Sequence, residues 1–262
     1  MEPSPQQTSP AIPIAIISGF AMIAIAIFFT SGKNSSLPSV AEQNNEAAIE
    51  SSEPRPVDEN DYIRGNPNAP ILMVEYSDYD CPFCKQFHST MNQIMDEYGI
   101  TGRVAWVYRQ FPVAQLHPNS PKISKAALCV GDIGGNNAFW TFSDLIFDDR
   151  DIDSLTNVTK LSQYAEIAGV AQEDYIACMS SDEMEKRVEQ DVTDGFNAGA
   201  RGTPYTVLIV GSQQAVISGA QPYDTVKGII DNLIEQLDGE FDVETAEPAE
   251  IPVNENGVPI LE

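Results

Sequence analysis

The sequence predicts an α/β domain that carries a helical insertion and follows one membrane-spanning helix. Three observations lead there. Short apolar runs suited to strands alternate with apolar stripes of helical period. A long stretch in the middle of the chain has helix signals and no strand signal. Residues 11–29 (AIPIAIISGFAMIAIAIFF) carry no charge.

Residues 1–10 are polar and contain no Lys or Arg. At ~1.5 Å per residue the apolar run that follows spans roughly 28 Å, about the thickness of a hydrocarbon core. Two readings fit it, a cleaved signal peptide and an uncleaved signal-anchor. The missing basic segment, the length of the run and the lack of a small-x-small site after Phe29 favour the anchor. Only Lys33 lies close on its C-terminal side, so charge hardly orients the span. Residues 30–60, rich in Ser, Asn, Glu and Pro, read as a disordered acidic tether, and residues 239–262 as an acidic tail. Residues 61–238 remain as one folded unit by size.

Within that unit, Ile71–Tyr76 is a short apolar run bounded by Pro70 and Ser77-Asp78, which suits a buried strand. From Pro82 to about Tyr98, Phe83, Phe87, Met91, Ile94 and Met95 form a helical stripe that Gly99 ends. Val104–Tyr108 reads as a second strand. Helices are expected at Lys122–Val130, Asn137–Phe147, Asn157–Ala168, Glu173–Met179 and Asp182–Ala198, which places the insertion at about 119–199. Tyr205–Val210 and Ala215–Ser218 form a hairpin around Gly211-Ser212, and Asp224–Leu237 closes as an amphipathic helix.

Acidic residues outnumber basic ones 39 to 14, for a formal charge of −25. That balance excludes nucleic acid as a partner and adhesion to anionic lipid through a basic patch. No phosphate-binding loop, dinucleotide fingerprint, calcium loop or His-Glu-x-x-His is present.

The chemistry concentrates in Cys81-Pro82-Phe83-Cys84, where the first strand hands over to the first helix. Cys81 falls near the helix N-cap, where free N–H groups and the macrodipole favour a thiolate. Pro82 fits the first turn, which needs no N–H, and Cys84 follows close enough to close a small disulfide. The pair also reads as half a zinc site, but no second pair of ligands at matching spacing follows it, so no metal is expected. Gly202-Thr203-Pro204-Tyr205 precedes a strand. Pro204 is either an edge-strand proline or a cis peptide that leaves Thr203 free to bond an extended substrate. Glu75, inside Ile71–Tyr76, either ends its strand in solvent or is buried unpaired, with a raised pKa and a proton to relay to Cys84.

Together these residues resemble the DsbA-like thiol:disulfide oxidoreductases of the thioredoxin superfamily. The likeness runs from about Asp61 to Leu237. It is carried by Glu75–Phe87 (EYSDYDCPFCKQF), Tyr108–Pro112 (YRQFP), His117 through Cys129, Phe139-Trp140 and Gly202–Ile209 (GTPYTVLI). It implies a thioredoxin-like fold with a helical insertion. It implies that Cys81 is the exposed nucleophile of a redox-active Cys81–Cys84 disulfide, with Cys84 its buried partner. Thr203 and Pro204 match the loop that contacts dithiol and substrate, alongside Pro82 and Phe83. Glu75 matches the acid beneath the dithiol. Phe83 departs from the Pro-His dipeptide of strongly oxidising members. It offers no positive charge, and Asp78 and Asp80 are expected to raise the Cys81 pKa and give a moderate oxidant. Four cysteines allow three pairings. With Cys81 and Cys84 adjacent, Cys129 and Cys178 are left, and some relatives carry a second disulfide in this region; two buried free thiols are the alternative. His88 and His117 read as helix-face or loop residues, and Arg109 as an ion-pair former.

The expected function is that of a tethered thiol:disulfide oxidoreductase on the extracytoplasmic side of the plasma membrane, since disulfide donation makes little sense in a reducing cytosol. It needs no cofactor. Its substrates are reduced or misoxidised secreted proteins, and the likeness implies a quinone-linked membrane thiol oxidase, DsbB-like or vitamin K epoxide reductase-like, as electron acceptor. A reductase or isomerase using the same dithiol is the first rival. A surface binding or chaperone domain with a structural Cys-x-x-Cys is the second.

Overall fold

The structure, a computed structural model, describes residues 53–243. The expected span at 11–29, most of the expected tether and the tail from 244 onward lie outside the described residues. Among the described residues no helix is long and apolar enough to cross a membrane.

Five strands form one sheet in the order β1–β3–β2–β4–β5. They are β1 (Tyr62–Gly65), β2 (Ile71–Ser77), β3 (Val104–Gln110), β4 (Tyr205–Val210) and β5 (Gln213–Ser218). β2 and β3 run parallel and every other pair antiparallel. The crossover between β2 and β3 is helix α1 (Pro82–Ile94), which widens into a π-helical turn at Met95–Gly99. β1 has no counterpart among the expected strands. It is four residues long with only Tyr62 buried, so it carries too little alternation to read.

Four helices fill the expected insertion: α2 (Ser120–Asp149), α3 (Leu161–Ile167), α4 (Gln172–Met179) and α5 (Glu183–Asn197); α6 (Tyr223–Val243) follows the β4–β5 hairpin. The two helices expected at 122–130 and 137–147 are one run bent at Gly135, whose φ of 78° and ψ of −173° belong to glycine alone. Both ends of α2 return to the loop between β2 and α1. Ser120 Oγ donates to Asp78, and Arg150, just past the other end, donates to the Cys81 carbonyl. A straight helix of 30 residues would separate those ends by about 45 Å.

Alternation along the strands gives the sheet two buried faces. Ile71, Met73, Trp106 and Tyr108 pack under Phe87, Met91 and Ile94 of α1 and under Phe139, Phe142 and Phe147 of α2. Val74, Tyr76, Val107, Phe111 and Val207 form the opposite core, beside α5. Gly195 lets α5 approach closely there, since a Cβ would stand 2.6 Å from the Phe111 ring and 2.8 Å from that of Tyr76.

This second face also holds an ion-pair cluster. Arg109 is fully buried and binds Asp61 at 2.9 Å and Asp194 at 2.8 Å, which makes it the ion-pair former expected. Tyr76 donates its hydroxyl to Asp194 as well. The end of the expected tether belongs to this cluster rather than hanging free. The Arg55 backbone N–H donates to Asp194 at 2.7 Å, its guanidinium donates to Asp61 at 2.7 Å, and its carbonyl accepts from Arg109 at 3.0 Å. The packed chain therefore begins before residue 61. Cys129 and Cys178 are joined in a disulfide, Cα to Cα 5.8 Å, which ties α2 to α4.

Candidate active site

Cys81 is the N-cap of α1 and Pro82 its first residue, so the helix opens on the sulfur with unpaired backbone N–H groups. Cys81 and Cys84 are both free thiols. Cys84 is fully buried and Cys81 is 5% exposed, while Phe83 between them is 61% exposed. Cys81 is thus more covered than the expected exposed nucleophile. The covering is the Thr203–Pro204 loop, whose peptide is cis and whose Thr203 carbonyl lies 3.5 Å from Cys81 Sγ.

The two sulfurs titrate in opposite directions. A hydrogen bond from Cys84 draws the Cys81 thiol down to about 6, against the effect of burial and with help from Thr203 and the backbone N–H groups of Cys84 and Phe83. Burial pushes Cys84 well above the usual thiol range, and the neighbouring Cys81 and Glu75 push it further. The expectation that Asp78 and Asp80 raise the Cys81 pKa is overturned. Both carboxylates are buried, and neither is among the leading influences on the Cys81 thiol. Asp78 accepts from the backbone of Asp80 at 2.8 Å and of Val113 at 2.7 Å, from His117 Nδ1 at 2.9 Å and from Ser120. Asp80 Oδ1 accepts from the Thr156 backbone at 2.8 Å, while its buried Oδ2 has no hydrogen-bond partner among the described residues. The backbone N–H groups of Phe83 and Cys84 favour the Cys81 thiolate whatever side chain stands at position 83.

Glu75 lies beneath the dithiol, 1% exposed, paired across the sheet with Tyr108 and Thr206. Oε2 accepts from Trp106 Nε1 at 2.8 Å, and Oε1 has no hydrogen-bond partner among the described residues. Among the described residues no cation pairs with it, and burial raises its pKa to about 7, with Ser77 and Trp106 opposing the rise. Of its two sequence readings, the structure places it in the buried one.

The structure brings Cys81, Cys84, Glu75, Pro82, Phe83, Thr203 and Pro204 to one end of the sheet. His88 is buried on α1, its Nε2 2.8 Å from Asp144, and burial lowers its pKa. Among the described residues no cluster of His, Cys, Asp or Glu is arranged to hold a metal. A groove of about 680 Å³ between Pro112, the start of α2 and α5 includes neither thiol cysteine. Sequence reasoning missed Trp106 and Arg150. Trp106 reads as a core aromatic until strand register sets it beside Glu75. Arg150 stands in an acidic run, Asp148 to Asp153, and reads as surface.

Comparison with known proteins agrees with this geometry. Residues 58–232 match the family model described as thioredoxin. A protein-disulfide oxidoreductase of Rickettsia bellii is 28% identical over 194 residues, 71% of this chain and 70% of that one. A Na(+)/H(+) antiporter NhaA 1 of Mycolicibacterium gilvum is 29% identical over 165 residues, 61% of this chain and only 25% of that one. Among solved structures, Wolbachia pipientis alpha-DsbA1 superposes with a TM-score of 0.60 at 22% identity, covering 71% of this chain and 96% of that one. A periplasmic thioredoxin-like protein from Salmonella enterica does so with a TM-score of 0.55 at 19% identity, covering 68% and 92%.

Proposed function

The chain belongs to the thioredoxin family, and from that premise we propose that it is a DsbA-like thiol:disulfide oxidoreductase that works as an oxidant, donating the Cys81–Cys84 disulfide to protein thiols. The observation that carries this reading is the placement of Cys81 as the N-cap of α1 against the cis Thr203–Pro204 peptide, with Cys84 fully buried one turn on, which favours the thiolate at Cys81 and the thiol at Cys84. A thiolate stabilised at Cys81 stabilises the reduced form, and a stable reduced form makes the disulfide oxidising.

A substrate thiolate attacks Cys81 Sγ, the Cys81–Cys84 bond breaks, and Cys84 leaves. Its high pKa means that it leaves only with a proton, which Glu75, protonated up to about pH 7, is placed to give. A second substrate thiolate attacks the substrate sulfur of the mixed disulfide and Cys81 departs as thiolate. Two electrons pass from substrate to protein, and the substrate gains a disulfide. Thr203 and Pro204, beside the sulfur, hold the substrate backbone, and Phe83, exposed next to it, offers an apolar contact.

This chemistry suits an extracytoplasmic site, and the Cys129–Cys178 bond supports the same placement. Residues 11–29 anchor the domain at the plasma membrane, secreted proteins are its substrates, and a quinone-linked thiol oxidase of the DsbB or vitamin K epoxide reductase type takes its electrons. The test is the reduction potential of the Cys81/Cys84 couple in the full chain, read against glutathione, together with oxidation of a reduced unfolded protein. A potential at or above about −180 mV, with activity lost in Cys81→Ser, is expected. A potential far below that value would make the protein a reductase.

A further inference from the structure

Arg150 is 5% exposed and stands against the catalytic loop. Its Nη2 donates to the Cys81 carbonyl at 2.6 Å and its Nη1 to the Ser154 carbonyl at 3.0 Å, while Nε has no partner. Among the described residues no carboxylate forms a salt bridge with it within 4.0 Å. A guanidinium withdrawn from water without an ion pair is costly, and backbone carbonyls offset only part of that cost. The charged and titratable groups that face it are Asp78 and Asp80 from the β2–α1 loop, and Cys81 and Cys84. Asp78 is occupied by four other donors; Asp80 accepts from Thr156 with Oδ1 and keeps a buried Oδ2 without a hydrogen-bond partner among the described residues, a standing charge near Arg150 that is the same in both redox states. Lys85, one turn into α1, is tied to the Phe147 carbonyl, and Glu75 is kept neutral below about pH 7 by its burial. The one anion in this set that comes and goes with the reaction is the Cys81 thiolate.

We propose that Arg150 is a positioning residue of the redox couple: its buried guanidinium holds the Cys81 carbonyl and supplies the positive charge that favours the Cys81 thiolate over the disulfide. The proposal rests on the reading that Cys81 and Cys84 cycle between the two states. Reduction breaks the S–S bond, takes two electrons from a substrate dithiol, puts one proton on Cys84 and leaves the negative charge on Cys81. The disulfide has no charge for Arg150 to meet and the reduced form has one, so the interaction is differential and shifts the equilibrium. Arg150 thereby does for this dithiol what a cationic residue at position 83 does elsewhere, from a helix end some 70 residues along the chain.

The experiment titrates the Cys81 thiolate by ultraviolet absorbance and equilibrates the full chain with glutathione, for the native protein, Arg150→Met, Arg150→Gln and Arg150→Lys. The native protein comes first. If its Cys81 titrates as an ordinary unreactive thiol, the functional reading fails whatever Arg150 does. Given a native thiolate, Arg150→Met and Arg150→Gln are each expected to lower the thiolate fraction at pH 7 about tenfold. The disulfide equilibrium is expected to shift tenfold with it, a potential about 30 mV more negative. Arg150→Lys, which keeps the charge, is expected to stay within about threefold of native. Should Arg150→Gln, which retains donors and loses only charge, leave titration and potential at native values, Arg150 is a helix-end brace and the proposal is overturned. A fall in melting temperature alone has the same meaning.

Discussion

Glu75 and Asp61 are carboxyl groups withdrawn almost wholly from water on opposite faces of one sheet, and their electrostatics diverge. Asp61 meets two guanidiniums, those of Arg109 and Arg55, whose hydrogen bonds and charge hold its pKa below the usual carboxylate value against burial. Glu75 meets an indole N–H and no cation, and burial raises it to about 7. Equal burial thus yields a fixed charge on one face and a movable proton on the other. What separates a structural acid from a chemical one here is the presence of a counter-ion, not depth.

The hardest way to break the contrast is to remove the counter-ion. Arg109→Met takes one of two guanidiniums from Asp61 and leaves Asp194 with no cationic side chain among the described residues, and a loss of about 3 kcal/mol in urea unfolding is expected, with the dithiol potential unchanged because Arg109 lies across the sheet. A shift in potential would show that the faces are not independent. Next is Glu75→Gln. The folded protein holds the Glu75 proton up to about pH 7, so that group's favourable contribution is present at pH 4 and lost as pH rises through 7. Removing the charge is expected to stabilise the fold by roughly 3 kcal/mol at pH 8 and by little at pH 4. It is also expected to slow thiol exchange near neutrality about a hundredfold, by taking away the proton donor to Cys84. Equal stabilisation at both pH values would mean that Glu75 is ionised throughout. Asp61 has the opposite sign: its contribution is present above the ordinary carboxylate pKa and lost as pH falls below it. The smallest effect sharpens the charged face alone. Tyr76→Phe removes one hydroxyl donor to Asp194 and is expected to cost about 1 kcal/mol in thermal unfolding, with no change in activity.

The sequence showed the catalytic face better than the structural one. Cys81, Pro82 and Cys84 are adjacent, so their placement at a strand-to-helix junction is a local property that pattern and capping chemistry reveal. Glu75 was legible because a charge within Ile71–Tyr76 is locally anomalous. Its partner Trp106 was not, since only strand register brings the two together. Arg109 reads as an ion-pair former, but Asp61 and Asp194 lie far from it in the chain and read as ordinary surface charges until the fold assembles the three. Asp78 and Asp80 misled for the same reason. Sequence proximity to Cys81 fixed their distance but not their direction, and their hydrogen bonds to distant backbone N–H groups turn them away.

The bend of α2 gives one small residue authority over both walls of the dithiol. The helix that supplies Ser120 to Asp78 also delivers Arg150 to Cys81, and it doubles back only because position 135 accepts a backbone geometry closed to every other amino acid. A methyl group there would touch nothing. An alanine at that position would therefore do its damage without a collision: the change in backbone preference alone would pull the two arms of the helix out of alignment and detune a sulfur it never approaches.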